Sequence, residues 1–136
     1  MAEVMKHIDL IVIHCSDSPD HHYVTAADIH DWHTQKGWDG IGYHYVITRE
    51  GEVEPGRPHY WQGAHVRGFN AHSLGVCVVG RDRFTPEQYH ALDKLYAKLH
   101  AQYPMAEWKG HRELDQYKTC PNDALMEWLE HRRKTR

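Results

Sequence analysis

What most constrains this chain is a pair of short runs in which apolar residues follow one another without alternation. Residues 8–15 are dominated by Ile, Val and Leu and end in the polar cluster Ser16-Asp17-Ser18-Pro19-Asp20; the second run is Leu74-Gly75-Val76-Cys77-Val78-Val79-Gly80. A strand with one wet face alternates, so runs of this kind read as strands buried inside a sheet. The helical signals are local. Thr25 and Asp28 have capping-box spacing, Ile29, Trp32 and His33 share one helical face, and Gly37 supplies a stop. Thr85-Pro86-Glu87-Gln88 is the strongest helix start, with Tyr89, Leu92, Leu95, Tyr96 and Leu99 following at helical spacing. A last helix is expected from Asp123, capped by Asn122 and burying Leu125, Trp128 and Leu129. Residues 42–48 alternate as a strand and turn through Arg49-Glu50-Gly51-Glu52 into Val53 as a hairpin, whereas residues 55–73 read as an ordered surface loop. Strands interspersed with helices predict an α/β domain, a central sheet with helices on its faces.

At 136 residues there is room for one core, so a single domain over 1–136 is expected. Sixteen basic and nineteen acidic side chains give a net charge of −3, and no basic block precedes Arg132-Arg133-Lys134. That balance gives no footprint for nucleic acid or an anionic membrane. The N-terminal residues carry no signal-peptide pattern and no run approaches the ~20 apolar residues of a membrane span, so synthesis in the cytoplasm without membrane insertion is expected. The three cysteines, Cys15, Cys77 and Cys120, are odd in number and lack CxxC spacing. Ligands or core fillers are expected rather than a disulfide framework.

His14 closes the first buried run, at the carboxyl end of a strand, where sites gather in open α/β sheets. His111 and Cys120 lie in Gly110-His111-Arg112-Glu113-Leu114-Asp115-Gln116-Tyr117-Lys118-Thr119-Cys120-Pro121. Imidazole and thiolate are zinc's preferred ligand types, and three protein ligands with a fourth position left to water describe a catalytic site. Among fourteen histidines the His111/Cys120 spacing alone says little. Gly110 at a strand end and Pro121 before a helix, however, allow a loop that turns both side chains toward His14. Successive strand residues face opposite ways, so His14 is taken as the ligand and Cys15 as core, with Cys77 also core. Metal-assisted hydrolysis is the chemistry this set points to.

The ordered blocks Ile11-Val12-Ile13-His14-Cys15-Ser16, Gly37-Trp38 with Gly42-Tyr43-His44-Tyr45, Gly63-Ala64-His65, Asn70-Ala71-His72-Ser73-Leu74-Gly75-Val76, and Gly110-His111-Arg112 with Lys118-Thr119-Cys120-Pro121 carry a resemblance. Over residues 8–129 the chain resembles the type 2 N-acetylmuramoyl-L-alanine amidases and the related peptidoglycan recognition proteins, and looks most like the small amidase-type lysozymes (endolysins) of bacteriophages. The resemblance implies a central mixed β-sheet flanked by helices and one zinc ion per chain on His14, His111 and Cys120. It implies Tyr43 and Lys118 as catalytic side chains and no separate cell-wall-binding domain. The implied reaction is hydrolysis, by water held on zinc, of the amide between the lactyl group of N-acetylmuramic acid and the L-alanine of the peptidoglycan stem peptide. Lys118 then suits stabilisation of the oxyanion, and Tyr43 water orientation and proton transfer. Some relatives use Asp as third ligand with a separate Glu as base; here Cys120 stands instead and no acidic residue matches that Glu. In the 55–73 loop, His65 is the candidate substrate contact, with Asn70 and His72 beside it, and Trp61 is the tryptophan expected to be exposed. Such an endolysin is expected to be a monomer made in the host cytoplasm, reaching the wall after the membrane is permeabilised.

Three alternatives stay open. A non-catalytic peptidoglycan-binding module is disfavoured by the presence of Cys120, Tyr43 and Lys118. A cysteine peptidase with Cys15 as nucleophile would survive chelation. A regulator of a phage RNA polymerase is also consistent with the resemblance.

Overall fold

The computed structural model describes residue 5 and residues 7–135. Strand β1 (Leu10–Cys15) lies between two parallel neighbours, β4 (Ser73–Val78) and β5 (Glu107–Gly110). Beyond β4 come β2 (Tyr45–Ile47), parallel to it, and β3 (Val53–Pro55), antiparallel to β2. The sheet order is β3-β2-β4-β1-β5, a mixed sheet as expected. Parallel neighbours need crossover connections, which here contain α1 (Ala26–Gln35) and α2 (Pro86–Gln102). The short α3 (His111–Leu114) and the terminal α4 (Asp123–Thr135) complete the chain.

The two unbroken apolar runs became β1 and β4, buried at every position. From one face Ile11, Ile13, Leu74, Val76 and Val78 pack against Leu92, Leu95 and Leu99 of α2 and Leu125 and Leu129 of α4, with Trp108 beside them. Each such side chain contributes roughly 1.5–3 kcal/mol by leaving water. The opposite face is covered differently. Leu10 and Val12 meet Val66 of the 56–72 loop, and Val46, Cys77 and Val79 meet Val24, Ile29 and Ile41 around α1. This second face also carries His14, His44 and Ser73, all buried polar groups that a loop with free backbone and side-chain partners can satisfy.

Both predicted capping boxes form. Thr25 accepts from the Asp28 N–H while the Asp28 carboxylate takes the Thr25 N–H, and Thr85 and Gln88 do the same at the start of α2. Three expectations are corrected. Trp32 is 43% exposed, so Ile29 and His33 alone bury the inner face of α1. The Asn122 side chain donates to the Arg81 carbonyl, a contact across the chain, rather than capping α4. Trp61 is half-buried, and Trp32 and Trp38 are the exposed tryptophans. The strand expected over 42–48 is confined to Tyr45–Ile47, and Gly42 ahead of it passes against another backbone, where a Cβ would lie 2.1 Å from the Ala64 oxygen.

Candidate metal and catalytic site

Strand register creates the site. Ile13 is paired with Gly110, so the next residue of each chain segment, His14 and His111, stand side by side at the carboxyl ends of β1 and β5, ring centroids 4.6 Å apart. Gly110 is anchored by its N–H on the Glu113 carboxylate at 2.8 Å, and Arg133 of α4 binds that carboxylate in turn. A turn closed by the Lys118 N–H on the Asp115 carbonyl, 3.0 Å, brings the chain back to Cys120, which a cis peptide joins to Pro121. The Cys15 N–H donates to Cys120 Sγ at 2.9 Å, fixing that sulfur at the end of β1. One ligand atom from each of His14, His111 and Cys120 lies within 4.8 Å of the others.

Burial sets the protonation of these groups. It holds His14 well below the usual imidazole value, the neighbouring His65 and His111 adding to the effect, and it lowers His111 as well. Both rings are neutral at neutral pH, the form that ligates. The thiols of Cys15 and Cys120 touch, Sγ to Sγ 3.2 Å. Hydrogen bonding from Cys120 lowers the Cys15 thiol, and the same contact, together with burial, raises Cys120. The first proton of the pair thus leaves more readily than from a free thiol, and the second is held more tightly. A cation on the three ligands would draw the thiolate to Cys120, where the Cys15 N–H already points.

Tyr43 stands beside the ligands, its ring centroid 5.0 Å from that of His14. Burial pushes its phenol well up, with nearby Cys77 adding to the shift, so the hydroxyl keeps its proton. Lys118 is exposed on the turn before Cys120, and its charge is among the influences that lower His111. His65 reaches inward: its Nδ1 lies 2.9 Å from His14 Nε2 and its Nε2 3.2 Å from Ser73 Oγ. Asn70 accepts the backbone N–H groups of His65 and Val66, each at 2.9 Å, and so shapes the loop. His72 pairs with Asp9 at the amino ends of the strands, the far end of the sheet from His14.

Two residues escaped the sequence reading. Fully buried His44 bridges the Trp61 carbonyl, 2.8 Å, and the Gly75 N–H, 3.1 Å, and His33 Nδ1 takes the Gly42 N–H at 2.8 Å. Together they pin the segment that carries Tyr43. The inward helical face of His33 was visible; its partner on the 41–44 segment was not. Cys15 is 6% exposed, packs against the core and has its thiol engaged by Cys120 Sγ, which weighs against the cysteine-nucleophile alternative. A cleft of about 380 Å³ opens beside Cys120, lined also by Cys15, Asp17, Arg81, Arg112 and Thr119. The larger cavity, about 670 Å³ between the β2–β3 hairpin and α2, contains none of the ligand residues and lies on the other side of the sheet.

The sequence profile of the N-acetylmuramoyl-L-alanine amidases matches residues 4–123. The chain belongs to that family. The amidase is 38% identical over 130 residues to the endolysin of Escherichia phage T7, covering 90% of this chain and 85% of that protein. To the endolysin of Klebsiella phage KP32 it is 38% identical over 128 residues, with 88% and 84% covered. Among solved structures it superposes on the N-acetylmuramoyl-L-alanine amidase LysC from Clostridium intestinale with a TM-score of 0.85 and 29% identity, covering 96% and 87% of the two chains. On Drosophila PGRP-LB the TM-score is 0.84 at 25% identity, covering 95% and 84%. Phage amidases and peptidoglycan recognition proteins both share the amidase's fold, as the resemblance implied.

Proposed function

We propose that the amidase is a zinc-dependent endolysin hydrolysing the amide between the lactyl group of N-acetylmuramic acid and the L-alanine of the stem peptide. The observation that carries this reading is the convergence of His14, His111 and Cys120, with ligand atoms within 4.8 Å of one another, in a chain of this family. The donor set fits: two imidazoles kept neutral by burial and a thiol that a backbone N–H already approaches. Held there, zinc supplies hydroxide at neutral pH by lowering the pKa of water to about 7, and polarises the carbonyl oxygen as a Lewis acid.

The side chains supply the rest. Tyr43, protonated and beside His14, orients the attacking water and relays to the departing alanine nitrogen the proton that this water gives up, keeping its own proton count unchanged as the C–N bond breaks. Lys118, on the turn that leads into Cys120, offers its ammonium to the negative charge that develops on the carbonyl oxygen. The phage relatives support action on the cell wall after release from the host cytoplasm. Among the described residues no helix is long and apolar enough to cross a membrane.

The test is release of stem peptides from purified peptidoglycan. Release is expected to stop with a chelator, return with added zinc, and be absent in His14→Ala. Release that survives chelation, with His14→Ala as active as the unmodified protein, would overturn the reading.

A further inference from the structure

We propose that His65 is a positioning residue: with Ser73 it fixes the tautomer of His14, so that His14 presents Nδ1, and not Nε2, to the metal. The inference rests on the reading of His14 as a ligand and adds to it the atom that ligates and the group that selects it.

The hydrogen-bond chain orders the protons when followed from its one fixed acceptor. The Phe69 carbonyl can only accept, and Ser73 Oγ stands 2.7 Å from it, so the hydroxyl proton points there. The same oxygen lies 3.2 Å from His65 Nε2 and, its proton already directed at Phe69, accepts from that nitrogen. A neutral imidazole has a single N–H, so His65 Nδ1 is an acceptor. That nitrogen is 2.9 Å from His14 Nε2, which must then carry the hydrogen. His14 is left with its lone pair on Nδ1. A ligand histidine that donates from its other nitrogen is held in orientation and made more basic.

The relay is built to stay in place. The His65 ring lies over Gly75, where a Cβ would come within 2.7 Å of it, so no other residue type leaves room for the ring. Its backbone N–H is fixed on Asn70, and its neighbour Val66 is 1% exposed. Both ring nitrogens are engaged inside the protein. His65 therefore acts on the reaction through His14, in place of the substrate contact that its loop position suggested.

Two variants separate this role from simple filling of space. His65→Asn keeps an acceptor where Nδ1 stands, whereas His65→Leu keeps bulk without one. Zinc affinity measured by chelator competition is expected to fall about 10–100-fold in His65→Leu and to return to within about threefold of the unmodified protein in His65→Asn. Long-range 1H–15N NMR of the unmodified protein, which needs no variant to fold, is expected to show the His14 proton on Nε2. A His65→Leu protein that binds zinc as tightly as the unmodified one, or a His14 proton on Nδ1, would overturn the proposal while leaving the metal site standing. If the unmodified protein takes up no zinc at all, the metal assignment fails and the relay fails with it.

Discussion

Tyr43 and Cys15 both stand beside the candidate ligands, yet their surroundings give them different duties. Tyr43 sits half-buried beside His14 with its phenol proton retained, whereas Cys15 packs against the core, donates its backbone N–H to Cys120 Sγ and has its thiol in contact with that sulfur at the cleft edge. Replacing Tyr43 with Phe keeps the ring and removes the proton; kcat for stem-peptide release is expected to fall about 10²–10⁴-fold. Zinc content should be unchanged. An unaltered kcat would remove Tyr43 from the chemistry. Lys118→Ala should likewise lower kcat, by about 10²–10³-fold if its charge meets the developing oxyanion, with zinc affinity intact. A loss confined to KM would reassign Lys118 to substrate binding. The convergence of His14, His111 and Cys120 was legible in the sequence because strand-end position, residue type and family pattern all single these residues out. His65 was not, because its meaning depends on a loop without periodicity folding residue 65 back onto residue 14.

Elements reveal the same division between local and distant causes. Thr25 with Asp28 and Thr85 with Gln88 are signals contained in four consecutive residues, and both helices begin where those signals stand. Asn122 carried an equally good local signal, but the Arg81 carbonyl, far away in sequence, took its side chain. The short segment leading into β2 depends on histidines in the same long-range way, since His33 and His44 hold it by accepting backbone N–H groups. Burial holds both imidazoles near a pKa of about 4, below the 6.5 of an exposed histidine. The unfolded chain therefore binds more protons than the folded one between these values. Stability is complete above about pH 6.5 and declines as pH falls toward 4, by up to about 1.4 kcal/mol per pH unit for a group like His44 and less for the more solvated His33. Thermal melts should show a midpoint that drops across that window. A weaker drop is expected in His44→Gln, and an identical drop would transfer the effect to other groups.

At the scale of the molecule, two unbroken apolar runs were enough to announce central, doubly covered strands, and these are β1 and β4. Strand order and the identity of the edges were not legible, because they are decided by pairings between residues far apart, such as Ile13 with Gly110 and Leu10 with Ser73. Those pairings also determine how metal and fold are coupled. A zinc ion joined to His14, His111 and Cys120 ties β1 to the segment after β5, so zinc at 100 times its Kd is expected to stabilise the folded state by about 2.7 kcal/mol. The melting temperature should rise with zinc in the unmodified protein and stay level in His14→Ala; equal responses would place the bound zinc elsewhere. The parallel pairing of β1 with β5 has one more consequence, in time rather than space. A ribosome delivers residue 14 early and residues 111 and 120 late, so a nascent chain that has emerged only as far as Val79 holds one of the three candidate ligands, and the cluster can assemble only once the segment beyond the last strand has folded back.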